Sequence, residues 1–319
     1  MFNAMNRRSF LGLGAAAGAA ALTPRWMQAQ NTAAAEHKAP AHADAASTPI
    51  KTTQLYDNVY LLQGQGGNMA LQIGPDGNVL IDASFASAVP RIREVIASYS
   101  KVPADAPGIL INTHWHADHT GGNEGMYEAG YTIFAHQKTR ERLSTPQTMK
   151  MFHTTLMPAT PCARPTITFD QSMTIWHNDD TLDLIHFAPA HTDTDIYIHF
   201  HKANVLHVGD IWFNGTYPFI DEGTGGTIDG MIRAGEQVLA VADGDTKIIP
   251  GHGPLGTKAQ FQKYRDFLKT VRDKVAALKA GGASEQDVIA KKPAAEFDGA
   301  LGKGFMNAEQ FVGIVYRTL

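Results

Sequence analysis

The chain has 319 residues and a single cysteine, Cys162, which excludes a disulfide framework and any cysteine-built metal knot. It contains no run of about 18 apolar residues, so no ordinary membrane-spanning helix is expected. Charged side chains make up only 18% against 44% hydrophobic, an ordinary globular balance that excludes disorder for the bulk of the chain. Basic residues are not in excess. The 27 Lys and Arg face 31 Asp and Glu, a formal charge of −4. Such a body is a poor match for a phosphate backbone, and nucleic acid is not an expected partner. What is abundant is histidine, with 14 copies, and their placement says more than their number.

The first 29 residues contain Arg7, Arg8 and Arg25 and no acid. Asn6-Arg7-Arg8-Ser9-Phe10-Leu11 leads into a Gly- and Ala-rich apolar stretch ending near Leu22. A paired-arginine head, a short apolar segment and a small-residue tail are the parts of an export signal. The competing reading, an amphipathic helix packed on the body, lacks both an apolar stripe and bulky side chains. The Arg7–Leu11 motif resembles the twin-arginine signal of bacteria. That resemblance implies passage through the twin-arginine export machinery after folding, to the periplasm or beyond, with any metal loaded beforehand. Residues 30–49 are polar, Ala- and Pro-containing and aperiodic, and read as a flexible linker in which His37 and His42 are solvated. Residues 50–319 read as one domain ending in helices.

Within that domain, short apolar runs at 59–62, 69–73, 78–81, 108–111, 132–135, 166–169, 182–187, 196–200, 205–208 and 247–249 predict strands. Val89, Ile92, Val95 and Ile96 at helical spacing predict a helix over 89–99, and further helices are expected over 137–143, 229–240 and 257–278. Strands interspersed with helices suggest sheets covered by helices in layers.

Residues 113–123 read Thr-His-Trp-His-Ala-Asp-His-Thr-Gly-Gly-Asn. His114, His116, Asp118 and His119 follow directly on an apolar strand. The strand end can hold the first two on one side while the turn carries the others to a neighbouring point, an arrangement suited to two adjacent cations. Neutral imidazole and carboxylate are donors expected of zinc, with iron or manganese as alternatives. These four cannot complete two coordination shells. Three other strand ends offer donors: His191 in a turn, Asp210 just beyond a strand where a carboxylate could bridge two metals, and His252 between Gly251 and Gly253. Taken singly, each reads as an ordinary turn residue; together they supply the missing ligands.

The run His114-Trp115-His116-Ala117-Asp118-His119, followed in order by His191, Asp210 and His252, resembles the metallo-β-lactamase superfamily over about residues 52 to 260. The resemblance implies an α+β fold, a four-layered α-β-β-α sandwich with the metals at one rim. It implies that His114, His116 and His191 hold one zinc, that Asp118, His119 and His252 hold another, and that Asp210 bridges. Asp82 matches an aspartate that props the metal loop; its alternative reading is a turn-forming strand-end residue. The implied activity is that of a dinuclear zinc hydrolase acting on a small-molecule ester, thioester, lactone or lactam through a metal-bound hydroxide, with Asp118 and Asp210 as its catalytic carboxylates. Two departures count against the commonest lactamases. Cys162 precedes His191, where those enzymes place a cysteine ligand after it, and residues 211–219 carry no lysine for a β-lactam carboxylate. The alternatives are an iron-dependent sulfur or redox member of the same superfamily and a non-catalytic metal-containing accessory protein. No Ser–His–Asp arrangement is required, and no nucleophile elbow is visible.

The remaining histidines read as structural: His136, His186, His199 and His201 fill or edge the sheets. Residues 64–67 read as a hairpin turn, with a substrate flap as the alternative. His153, in the Met- and Pro-containing stretch 149–165, is a candidate for a substrate-lining loop. Trp212, Asn214 and Tyr217 are candidates for the pocket wall, and the Gly302-Lys303-Gly304-Phe305 segment is expected to pack.

Overall fold

A computed structural model describes residue 45 and residues 47–103 and 106–319. The export-signal reading, and the linker with His37 and His42, fall almost wholly outside the described residues. Strands β1 (Lys51–Tyr56), β2 (Val59–Gln63), β3 (Met69–Gln72), β4 (Val79–Ile81), β5 (Gly108–Ile111) and β6 (Tyr131–His136) lie in that order in one sheet. A separate hairpin, β7 (Gln147–Met149) with β8 (Thr154–Leu156), follows, and β9 (Ile167–Phe169) then completes the first sheet beside β6. The second sheet runs β10 (Ser172–His177), β11 (Asp180–His186), β12 (Ile196–Phe200), β13 (Val205–His207), β14 (Lys247–Ile249) and β15 (Gly256–Thr257).

Three apolar clusters separate four layers. Leu61, Ala70, Ile81 and Ile111 meet Leu182, Leu184, Ile198 and Ile249 between the sheets. Leu71, Leu80 and Leu110 take the other face of the first sheet and pack on Ile92 and Ile96 of helix Val89–Tyr99. Leu206 and Ile248 do the same for the second sheet against the long helices Ile228–Val241 and Lys258–Ala280 and the closing helix Ala308–Arg317. Strands buried on both faces read as unbroken apolar runs, which is why they stand out in the sequence. The helix Lys258–Ala280 starts where Thr257 and Gln260 form a capping box, an arrangement worth about 1 kcal/mol. It buries Phe261, Tyr264, Leu268, Val271 and Val275, at the three- and four-residue spacing of one face. The fold is the expected α-β-β-α sandwich.

Two parallel pairings position the site. β4 runs parallel to β5, with Ile81 opposite Ile111, and β13 runs parallel to β14, with His207 opposite Ile249. Parallel neighbours end at the same edge of a sheet. Asp82 is therefore delivered beside Thr113 and His114, and Asp210 beside Gly251 and His252. β12 is antiparallel to both β11 and β13, so the β11–β12 loop carrying His191 opens at that edge too.

His136 and His186 stack face to face, with ring centroids 3.7 Å apart and planes 8° from parallel. His136 Nε2 donates to the Asp170 carbonyl at 2.8 Å, and His186 Nδ1 donates to the Asp195 carbonyl at 3.0 Å. Burial, helped by the neighbouring His136, pushes His186 down to about 4. A histidine kept neutral by the fold binds fewer protons than the unfolded chain does, so stability rises with pH. Stability should fall as pH drops below 6.5, the ordinary histidine value, toward about 4. His186→Gln should shrink the difference in unfolding midpoint between pH 7 and pH 5 (assay conditions chosen to bracket about 6.5,); an unchanged difference would rule out this pair as a source of acid sensitivity.

Candidate metal centre

β5 ends at Ile111, and residues 112–116 cross the sheet edge before the short helix Ala117–Thr120 begins. That helix turns Asp118 and His119 away from His114 and His116. Two groups of donors result: His114, His116, His191 and Asp210 form one, and Asp118, His119 and His252 form the other, the ligand atoms within each lying within 4.8 Å of one another. All seven residues singled out in the sequence are thus brought together. Cys162 is in neither group; it lies beside Thr160 and Glu124.

Asp210 faces both groups. Its Oδ2 is 3.4 Å from His191 Nε2 and 3.8 Å from His114 Nε2, while its Oδ1 is 3.2 Å from His119 Nε2 and 3.4 Å from His252 Nε2. Three of the imidazoles are aimed by their other nitrogen. His119 Nδ1 lies 2.7 Å from Asp82 Oδ2, His191 Nδ1 donates to the Phe219 carbonyl at 2.8 Å, and His116 Nε2 donates to Asp221 Oδ2 at 3.1 Å. His116 therefore presents Nδ1 to the centre, 3.0 Å from His191 Nε2. Lone pairs converging at such distances repel unless a proton or a cation lies among them. His114 Nε2 and Asp210 Oδ1 are buried without a hydrogen-bond partner, a costly state for polar atoms that a metal ion would relieve. Neutral imidazoles and carboxylates fit a divalent cation of the zinc type.

Charge is distributed unevenly. Burial holds His114 well below the ordinary histidine value and His191 down at about 4. Burial also acts downward on His252, but Asp210 and Asp118 outweigh it and raise it to about 9. His119 is likewise raised, with burial overcome by Asp210, Asp118 and Asp82. Burial alone would raise Asp210, yet the surrounding histidines keep it well below its ordinary value. The second group thus holds protons where a cation would sit, and a metal must displace them, so its binding strengthens as pH rises toward about 9.

Asp82 acts as the prop that its position suggests. Fully buried, with φ 61 in the left-handed region, it accepts from Thr113 N at 2.8 Å and Thr113 Oγ1 at 2.7 Å while holding His119. Asp82→Asn keeps the shape and removes the charge. Its metal affinity, measured by competition with a chromogenic chelator, should fall by about tenfold to a hundredfold; unchanged affinity would return Asp82 to a turn-forming role.

Several expectations need correcting. Tyr217 is fully buried: its hydroxyl donates to Asp298 Oδ1 at 2.6 Å and its ring packs on Phe267 and Phe311. Trp212 is buried against Phe261. Both belong to the helix-side core, and the residue between them that meets the site is Phe213, stacked on His252 at 5.1 Å. Asn214 donates to the Pro254 carbonyl at 2.7 Å and so braces the His252 turn. His153 caps a short helix at φ 48, and it is its neighbour Phe152 that reaches Phe219. Phe305 does not pack inward; it is 57% exposed. His199 and His201 pair with each other and with Asp183, outside both donor groups. The turn at 64–67 joins β2 to β3 as a hairpin, and Gly67 N donates to the Asp118 carbonyl at 3.0 Å, tying it to the metal loop.

Sequence reasoning missed Asp221, which sits in an unremarkable turn sequence and carries no metal motif. It also missed Asn68, whose amide donates to the carbonyls of Pro250 and Gly253 at 2.9 Å each and pins the His252 turn. Arg142 grips Asp193, next to His191, through two hydrogen bonds of 3.1 and 2.8 Å.

Residues 58–252 match the family model described as the metallo-beta-lactamase superfamily. A hydroxyacylglutathione hydrolase from Gloeobacter violaceus is 27% identical over 173 residues, covering 53% of this chain and 55% of that protein. The chain therefore spans about half the length of this curated relative. Among solved structures, a metallo-beta-lactamase from Pontibacter korlensis superposes with a TM-score of 0.56 at 16% identity, over 69% of this chain and 99% of its own. A stereoselective inverting sec-alkylsulfatase from Pseudomonas sp. gives 0.62 at 15% identity, over 84% of this chain and 50% of its own. Likeness at such identities is likeness of fold.

Proposed function

The chain belongs to the metallo-β-lactamase superfamily, and from that premise we propose that it is a hydrolase using two divalent cations, zinc in the first instance, on ester, thioester or lactone bonds. The observation that carries the reading is Asp210, whose two carboxylate oxygens face different donor groups. His114, His116 and His191 would hold one ion, Asp118, His119 and His252 the other. The curated relative is named for hydrolysing an acyl derivative of glutathione, a substrate within the proposed class. Residues 211–219 offer no lysine to a β-lactam carboxylate, which supports ranking esters ahead of lactams.

When bound, two such cations lower the pKa of a water toward about 7 and polarise the scissile carbonyl. Asp210 and Asp118 orient that water by accepting its hydrogen bonds. Asp118 stands at the mouth of the site, its side chain 26% exposed and 3.2 Å from His252 Nε2. In hydrolysis the water oxygen would bond to the acyl carbon as the bond from that carbon to the leaving oxygen or sulfur breaks, and Asp118 would carry the water's proton to the leaving group. A carboxylic acid and an alcohol or thiol result.

Elemental analysis of the reconstituted protein should find two zinc ions per chain, about the number that a two-site donor set holds. The same sample should turn over a thioester, a lactone or a simple ester faster than a chromogenic cephalosporin or a phosphotriester. One ion per chain, or iron with a visible absorption band, would favour the redox alternative, and metal without turnover the accessory one. We further propose that residues 1–29 direct export by the twin-arginine route. Replacing Arg7 and Arg8 with lysine should retain the precursor in the cytoplasm; unchanged export, with an untrimmed wild-type N-terminus, would count against it.

A further inference from the structure

Two aromatic ladders climb from the metal-donor imidazoles to solvent. On one side Phe219, buried, has its ring centroid 5.9 Å from His116 and 5.8 Å from His191, and Phe152 lies over it at 5.5 Å. On the other, Phe213 stacks on His252 at 5.1 Å and Phe305 follows at 6.4 Å. The inner rings are buried and the outer ones exposed, Phe152 by 44% and Phe305 by 57%. What sets these two apart from the other exposed rings is that each ends a ring stack that begins at a metal-donor imidazole.

Neither outer ring is an accident of a loose segment. Phe305 is held between Met306, which is fully buried, and Gly304, where an added Cβ would stand 2.6 Å from Thr216 Cβ. Phe152 closes the short helix Lys150–Phe152 between the paired strands β7 and β8. Phe219 also walls a cavity of about 430 Å³ of mixed lining, in which Met151, Ile220 and Ile314 stand among the acids Asp221, Glu222, Glu285 and Glu309. The guanidinium of Arg317 in that wall is already paired with Glu222 and Glu285, so it is committed within the protein rather than offered to an anionic tail.

We propose that Phe152 and Phe305 determine specificity by receiving an apolar acyl chain of the substrate, so that the enzyme prefers medium-chain acyl esters or thioesters to acetyl ones. This rests on the hydrolase reading, and it adds to that reading the chemistry of the acyl group. The acyl carbonyl lies at the metal-donor cluster, and the chain runs outward between the aromatic side chains.

The test uses the zinc-loaded protein and two readouts. Calorimetry measures binding of acetate, hexanoate and octanoate, which share a carboxylate head and differ only in the tail. Hydrolysis of the matching p-nitrophenyl esters gives KM and kcat. Octanoate should bind about tenfold or more tightly than acetate, and KM should fall with chain length in the same sense. Phe152→Ala and Phe305→Ala should each remove much of that increment, and the double variant nearly all, read as the ratio of octanoate to acetate binding and of octanoyl to acetyl KM. Trp176→Ala, which deletes an aromatic side chain exposed elsewhere on the surface, should change nothing. Octanoate binding no tighter than acetate, or a chain-length preference intact in the double variant, would overturn the proposal, even if esters are hydrolysed. Graded carboxylate binding that disappears in the double variant, without turnover of any ester, would sink the hydrolase reading and leave the acyl-chain site standing.

Discussion

Replacing Asp210 with alanine is expected to cost activity well beyond about tenfold and to weaken metal binding at one or both donor groups. Its carboxylate approaches four imidazoles: those of His191 and His114 through Oδ2, and those of His119 and His252 through Oδ1. Loss of the side chain removes a donor from each group and the acceptor that orients the attacking water. It also removes the largest influence raising His252. In the metal-free variant the His252 pKa should therefore fall from about 9 toward the ordinary 6.5, a change that proton NMR of the imidazole resolves without any assay of activity. Cys162→Ser is the matched control, because Cys162 touches Thr160 and Glu124 and no metal donor. Full metal content and full activity in Asp210→Ala would end the bridging assignment, whichever substrate the enzyme prefers.

The parts of this molecule legible in the sequence are those where one physical demand dominates. β4 and β5 are buried strands and read as uninterrupted apolar runs, and the helix Val89–Tyr99 shows its buried face at Val89, Ile92 and Ile96. The metal donors were legible because imidazoles clustered after an apolar strand have few other uses. The edge strands β1 and β10 went unread. Each is half exposed along its length, so neither presents an apolar run or a clean alternation. Strand order was equally hidden, since the parallel neighbours β13 and β14 are separated in sequence by the helix Ile228–Val241.

Around the site, the misreadings share one cause. Trp212, Phe213 and Tyr217 are all aromatic and all buried, and only the tertiary packing decides that Phe213 turns to His252 while the others turn to the helices. Phe305 was expected to pack because an aromatic among glycines and helical sequence usually does. Its neighbour Gly304 lies against Thr216, a contact between segments far apart in the chain that local sequence does not record. Asp221 escaped notice because orienting His116 needs one carboxylate at one distance, and no spacing in the sequence records that.

Gly67→Ala is expected to disable the second donor group, although glycine supplies no ligand. A Cβ at residue 67 would lie 2.1 Å from Cε1, 2.5 Å from Nε2 and 2.6 Å from Nδ1 of His119, which is the position of the ring itself. The hairpin cannot retreat freely, because Gly67 N donates to the Asp118 carbonyl at 3.0 Å and Asn68 N donates to the Gly251 carbonyl at 2.7 Å. His119 cannot retreat either, with Nδ1 held 2.7 Å from the buried Asp82 carboxylate. One of these contacts has to break, and a displacement of about 1 Å in a catalytic group can cost about a hundredfold in rate. Metal content at the second group should fall together with the rate. Because the three atoms nearest the added methyl all belong to the His119 ring, the two positions should be strongly non-additive. Gly67→Ala made in a His119→Ala background should add little to the loss already caused by His119→Ala. Gly244→Ala, where an added Cβ meets nothing within 4 Å, should leave metal content and activity at the wild-type level. Equal penalties for Gly67→Ala with and without the His119 imidazole would show that the turn acts on the fold as a whole rather than on that ligand.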